Sequence, residues 1–420
     1  MKIAFFERII SPEVGVDLGG YGIGVTSVAK HDDIYVTGLC LDDGNKRALL
    51  LSFDLLGMEG KYNRKVRQGC ADALGIALDD VILSCTHTHN GPVVPCFSEV
   101  RPDMNYFNRV AAIAAEECKK INDDPDAFVE VRTCFYSLRC PENINRRVVT
   151  RDNVALELPS VKSAFRDADG ICDDELGMLI FYQQIGKYWR PVYTVVNYAA
   201  HPLTAHVPNG CLSGHSISAD FPGVFREFIR KNTGFHSMYL TGAAGDMFPK
   251  EYEMGFESTR RMGEALGRAA LEGMIDAYRN AALFEMKDPQ IKTMKKQCLV
   301  KTRPDCQKDM IMCMKGKAIG YADLQFLAIG DVCFVGMPGE LLAECGLEIK
   351  WHSPFRKTFI LFNSTGHFGY LPHANVHVSK GFEYKGCRLS PLSAFRIVET
   401  AIHGLFELRN PDELFDYEKP

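Results

Sequence analysis

Apolar positions along the chain follow two rhythms. Short apolar or alternating runs, closed by glycine, proline, asparagine or aspartate, read as strands. Longer stretches with apolar residues every three or four positions read as helices. Ile34 to Leu41 and Arg47 to Phe53 flank Asp42-Asp43-Gly44-Asn45 and predict a hairpin. Tyr62 to Leu74 predicts a helix and Leu78 to Cys85 the strand after it, a β-α-β pattern. The amphipathic, alanine-rich run Met104 to Ile121 predicts a second helix. Phe128 to Leu138, Gly177 to Gln184, Pro191 to Ala200 and Ser237 to Leu240 read as strands, and Ser258 to Tyr278 as a long helix. From about Ala281 the texture turns β-rich. Met286 to Thr302, Leu324 to Ile329, Val332 to Gly336 and Phe359 to Phe362 are strand-like, with helices at Leu341 to Lys350 and Pro391 to Leu408. The sum is an α/β fold.

Composition narrows what this fold serves. The length, 420 residues, suits two ordinary domains or one large body. The net charge of -5 is spread along the chain, which argues against a nucleic-acid or anionic-membrane partner. No run approaches the ~18 apolar residues of a membrane span. The start, Met1 to Arg8, carries charge and does not read as an export signal. The 15 cysteines are scattered without a C-x-x-C pair, the pattern of reduced thiols in a cytoplasm. Gly19-Gly20-Tyr21-Gly22 is glycine-dense but lacks the G-x-G-x-x-G spacing of a nucleotide loop. Met310-Ile311-Met312-Cys313-Met314 reads as packing rather than a copper site.

The candidate chemistry sits at strand ends. Val81 to Cys85 runs into Thr86-His87-Thr88-His89 and stops at the turn signal Asn90-Gly91-Pro92. Two residues apart along a strand, two imidazoles point the same way and come within reach of one ion such as zinc. The plainer alternative is a pair of hydrogen-bonded histidines. A second strand ends in Asn197-Tyr198-Ala199-Ala200-His201-Pro202, with His206 and His215 in the loop beyond. Asp220 fits a helix N-cap and Pro222 the first turn. Small residues in Gly242-Ala243-Ala244-Gly245-Asp246-Met247-Phe248-Pro249 let backbone crowd a ligand. Glu340 stands where a strand hands over to a helix. The pair Arg146-Arg147 reads as solvated surface charge, or else as a clamp for an anionic or carbonyl group.

Taken in order, T-H-T-H-N-G-P, N-Y-A-A-H-P, G-A-A-G-D-M-F-P, P-G-E and G-Y-L-P resemble the catalytic domain of the neutral (non-lysosomal) ceramidases, over most of the chain from about Ile9 to the last helix. The resemblance implies a mixed β-sheet sandwich flanked by helices with a metal site at strand ends. It implies one zinc ion per chain on His87, His201, Glu340 and Tyr370. It selects His87 over His89 as the ligand, which spacing alone does not. His89 is then a catalytic candidate that orients a water or shuttles its proton. Asp246 is the other, its backbone lining the pocket with that of Gly245. Asp54, Arg146 and Asp220 fall where such enzymes keep polar site residues and are the substrate-binding candidates, Arg146 for an anionic end. Ligands from both halves imply a single unit, 1–420, with an α/β lobe (1–280) and a β-rich lobe with a terminal helix (281–420).

The chain also departs from the resemblance. Ceramidases carry a catalytic serine in the G-D/N-x-S-P turn, and here Phe248 takes that place; a phenyl ring neither attacks nor hydrogen-bonds. Neither an export signal nor a C-terminal Ig-like sandwich domain is expected. The expectation is a cytoplasmic, zinc-dependent hydrolase that cleaves an amide or related bond of a small polar substrate with zinc-activated water. No nucleic-acid partner or stable membrane association is expected, and a homo-oligomer is left open. The alternatives are a metal-dependent glycoside or lactone/ester hydrolase and a non-catalytic metal-binding relative.

Overall fold

Three mixed sheets turn their apolar faces to one another. A computed structural model describes residues 1–21, 24–95, 102–147, 149, 155, 170–205, 215–252, 254–306 and 319–410. Across the first sheet the order is Val81–Cys85, Arg47–Phe53, Tyr35–Asp42, Lys2–Ile9 and Val129–Glu130. The second runs His236–Thr241, Tyr188–Tyr198, Glu175–Ile185, Arg132–Arg139 and Glu285–Met286. The third runs Ile291–Lys301, Ile319–Ile329, Val332–Gly336 and Lys357–Leu361. Ile3, Leu39 and Leu50 of the first, Leu179, Phe181 and Val195 of the second, and Leu327, Phe334 and Phe359 of the third share one buried core. Each outer face is covered by two helices: Gly60–Leu74 with Met104–Asp123, Asp220–Thr233 with Phe256–Arg279, and Ala343–Trp351 with Pro391–Arg409.

Each sheet contains one parallel pair: Arg47–Phe53 with Val81–Cys85, Tyr188–Tyr198 with His236–Thr241, and Val332–Gly336 with Lys357–Leu361. Parallel neighbours need a crossover, and a helix supplies it in all three cases. The chain thus builds three β-α-β units around one core. Their carboxyl ends, where open α/β sheets hold ligands, converge. Short polar side chains join the sheets there. Thr241 Oγ1 donates to Thr86 O at 2.6 Å, Asn197 Nδ2 to Ile360 O at 2.9 Å, Ser84 Oγ to Phe362 O at 3.0 Å and Ser364 Oγ to Leu83 O at 2.6 Å.

Several elements differ from the sequence reading: Leu78–Asp80 is a 3-10 turn ahead of the strand Val81–Cys85, and Met286 to Thr302 divides between Glu285–Met286 of the second sheet and Ile291–Lys301 of the third. Phe128 to Leu138 is not one strand. It breaks at Val131, and Val129–Glu130 joins the first sheet while Arg132–Arg139 joins the second. Lys2–Ile9 is a strand that charge at its ends conceals; Ile3 is buried on the face shared by the three sheets, and Ala4 and Phe6 on the opposite, helix-covered face. The methionine cluster, His206 and Cys313 lie outside the described residues. Among the described residues, no helix is long and apolar enough to cross a membrane.

Candidate metal centre

Each of the three carboxyl ends delivers a ligand-type side chain to one place. His87 follows Cys85 of the first sheet, His201 follows Tyr198 of the second, and Glu340 follows Gly336 of the third. All three are buried. The H-x-H pair is not aligned by strand alternation, as the sequence suggested. The strand stops at Cys85, and His87 sits in the turn beyond with φ at 70°. That turn is held to the neighbouring strand end, Thr86 N donating to Phe53 O at 2.8 Å and His87 N to Leu55 O at 3.0 Å. The two rings still meet, with centroids 5.1 Å apart, and His87 lies 4.9 Å from His201. Phe362 packs against both His87 and His201. Ligand atoms of His87, His89 and His201 all fall within 4.8 Å of one another, so the three histidines form a group that can hold a metal ion.

The hydrogen bonds fix which nitrogen faces inward. His87 Nδ1 lies 2.6 Å from Leu56 O and His201 Nδ1 2.5 Å from Ala244 O. A carbonyl only accepts, so each Nδ1 carries the proton and each Nε2 presents a lone pair. Those lone pairs face Glu340 Oε2, at 3.7 Å from His87 and 3.5 Å from His201. Among the described residues, that oxygen has no hydrogen-bond partner, nor does either ring nitrogen of His89. Burial pushes the His87 imidazole down to about 3 and His89 well below its ordinary value, so both are neutral near pH 7. Burial works against the charge on Glu340, yet its carboxyl lies well below the usual range, and His367 Nε2 on Oε1 is one of the groups that favour the charged form. Three buried acceptors therefore converge with no donor among them. Left alone, such an arrangement is unfavourable; a cation resolves it. A tetrahedral zinc with bonds of about 2.1 Å sets its ligand atoms about 3.4 Å apart, close to the separations found here.

The chain as a whole is similar in structure to a neutral ceramidase from Pseudomonas aeruginosa, with a TM-score of 0.78 over 98% of this chain and 74% of that one, at 14% sequence identity. The chain has the neutral ceramidase fold. A ceramidase complexed with C2 aligns with the same TM-score, 0.78, and the same identity, 14%, over 98% of this chain and 75% of that one. No protein-family model matches the sequence, and no curated protein matches it.

Within this ceramidase fold the other candidate residues take varied places. Tyr370 is the ladder partner of Glu340 in a short parallel pair, Glu340–Leu341 with Tyr370–Leu371. Its hydroxyl accepts from Arg146 Nη2 at 3.1 Å, and burial pushes its pKa above the ordinary phenol value. Arg146 is no solvated surface charge. It is 6% exposed, donates to Glu383 Oε1 at 2.7 Å and to Gly245 O at 2.9 Å, and lies over the rings of Phe248, Tyr370 and Phe382. Arg147 shares the same carboxylate, donating to Glu383 Oε2 at 2.6 Å. Asp246 accepts from Asn145 Nδ2 at 2.9 Å and from Ala343 N at 2.8 Å, and burial raises its carboxyl to about 6.

Asp54 and Asp220 are occupied by protein groups. Asp54 takes both terminal nitrogens of Arg226, at 3.0 and 2.5 Å, with Tyr35 N at 2.8 Å and Thr86 Oγ1 at 3.3 Å. Asp220 is not an N-cap. It is the first residue of its helix, at φ 56°, and accepts from Thr204 Oγ1, from Ala205 N at 3.0 Å and from Phe221 N at 2.7 Å. These contacts brace the residue before His87 and the loop after His201. Three residues at the site escaped the sequence reading. His367 Nε2 lies 3.1 Å from Glu340 Oε1, the Asn363 side-chain amide lies 3.0 Å from His87 Nδ1, and Glu383 neutralises Arg146. His367 had a signal, three residues before Tyr370 in the strand-end stretch from Asn363. Glu383 had none.

Proposed function

We propose that this chain is a metal-dependent hydrolase whose resident ion is zinc, held by His87, His201 and Glu340 with Tyr370 beside them, and that it cleaves an amide or related bond in a small polar substrate. The observation that carries this reading is the convergence of two imidazole lone pairs and one carboxylate oxygen, 3.5 to 3.7 Å apart, with no donor between them. A divalent ion there supplies Lewis acidity, lowering the pKa of a water and polarising a carbonyl. The chain's own residues do the rest. Among the described residues no protein group claims either ring nitrogen of His89, which leaves it free to orient the water and to pass the proton released on attack to the leaving group. Arg146, fixed by Glu383, holds the Tyr370 hydroxyl and the Gly245 carbonyl. Asp246 anchors the helix that begins at Ala343, just after Glu340. Phe248 lies against His201 and brings no hydroxyl, so the scheme needs no serine nucleophile. Asp54 and Asp220 act as braces of the histidine loops, and a cytoplasmic setting is part of the reading.

The test is metal content by mass spectrometry of the wild type beside Glu340→Ala, followed by a screen of N-acyl amides, aryl glycosides and lactones. About one zinc per chain, lost together with hydrolysis in Glu340→Ala, supports the reading. Full activity in Glu340→Ala sinks it. Turnover of glycosides or lactones alone would move the bond class, and metal binding without turnover would leave a non-catalytic relative.

A further inference from the structure

We propose that His367 is a positioning residue that restricts Glu340 to a single metal-binding oxygen. This rests on the metal site proposed above and concerns how its carboxylate is presented. The two oxygens of Glu340 have different surroundings. Oε1 meets His367 Nε2 at 3.1 Å. Among the described residues, Oε2 meets no donor, and it faces the Nε2 atoms of His87 and His201. A carboxylate with one oxygen held by an N–H offers an ion the other oxygen. Once released, it can chelate with both and fill a coordination position that a catalytic zinc keeps open.

His367 is placed to do this because its loop is fastened to the turn that carries Glu340. Phe368 N donates to Pro338 O at 2.9 Å, and Glu340 N to Gly369 O at 2.9 Å. Gly339 fits against this loop closely enough that a Cβ there would lie 2.6 Å from Gly369 O. His367 itself is 5% exposed. The imidazole and the carboxylate therefore move as one unit, and the contact does not depend on a flexible side chain finding its partner. Partners that orient a metal ligand in this way commonly contribute about 10–100-fold in metal affinity.

The test loads the whole protein with Co2+, whose visible absorption is strong in four-coordinate sites and weak in five- or six-coordinate ones. Wild type is compared with His367→Phe, which keeps a ring and loses the donor, and with His367→Gln, which restores an N–H near the position of Nε2. Zn2+ affinity is measured in parallel by competition with a chelator. His367→Phe should lose about 10–100-fold in affinity and several-fold in absorption, and His367→Gln should recover most of both. Wild-type affinity and spectrum in His367→Phe would overturn the proposal. Should that variant fail to fold, His367→Asn, polar but too short to reach Glu340, makes the same comparison with the same readings. A wild type that takes up neither Co2+ nor Zn2+ is a different result. It would remove the metal site itself.

Discussion

Two buried polar clusters meet at the turn Thr86-His87, Thr86 on Asp54 and His87 facing Glu340, and they are built on opposite terms. Around Asp54 each carboxylate oxygen has a donor: the Arg226 guanidinium, a backbone N–H and a threonine hydroxyl. Around Glu340 one oxygen has a donor, and the other faces two imidazole lone pairs. A saturated cluster is complete without a ligand and reads as architecture. A cluster short of donors is incomplete and reads as a place for a cation. Burial is equal in the two, with Asp54 1% and Glu340 4% exposed, so exposure does not separate them. Donor balance does.

The sharpest way to break this comparison is to remove one carboxylate from each cluster. Asp54→Ala strands the buried Arg226 guanidinium and should cost about 3–5 kcal/mol in urea unfolding. Glu340→Gln should leave the metal-free protein as stable as wild type, within about 1 kcal/mol. The new amide N–H replaces an acceptor that faced two lone pairs, while the remaining oxygen keeps His367. Comparable losses in the two variants would mean that the distinction between the clusters is false.

A smaller effect tests the wall of the histidine cluster. Gly20 has φ at 87°, and a Cβ on it would lie 2.4 Å from His89 Nδ1. The glycine-dense loop, which the sequence showed only as unsuited to nucleotides, closes on His89 at this point. Gly20→Ala combines a left-handed backbone with a clash against a buried ring. It should cost about 1–3 kcal/mol, and it should slow turnover of any substrate found by moving His89. Gly24, with φ at 80° and open space around its Cβ position, is the control. Gly24→Ala keeps the backbone strain and should leave turnover unchanged.

How much of this was legible in the sequence follows the same division. Local period located the hairpin at Asp42 to Asn45 and each long helix, because those patterns are set by neighbours in sequence. It missed the switch at Val131, since strands of both sheets alternate alike and nothing local marks a change of partner. The histidines, Glu340 and Tyr370 stood out as chemistry-bearing residues at strand ends, and their order carried the resemblance to ceramidases. What each was bonded to stayed hidden. Arg146 read as surface charge because Glu383 lies 237 positions away in the chain. His367 looked like any other loop histidine until folding set it beside Glu340. Residue type marks where chemistry is available. Donor balance depends on tertiary contacts, and it decides which of those residues are free to act.

The smallest effect separates the saturated region by pH. Asp32 accepts from Ser218 Oγ at 2.5 Å and Ala219 N at 2.7 Å, at the start of the helix carrying Asp220 and Arg226. Burial is the main cause that raises its carboxyl to about 7; Asp54 and Asp220 add to this, and the two hydrogen bonds oppose it. Its folded pKa thus lies above the unfolded value of about 3.9. Between the two the folded state binds more protons, so the stability this group contributes is fully present below about pH 4 and is lost as pH rises through 7. Asp32→Asn keeps an acceptor for Ala219, Ser218 can rotate its hydroxyl to suit the amide, and the titrating proton is gone. Wild type should therefore lose stability relative to Asp32→Asn between pH 5 and pH 8, on the order of 1 kcal/mol after solvent screening, read as the difference in urea midpoints. A constant difference across that range would mean that Asp32 stays ionised throughout, its two donors outweighing burial.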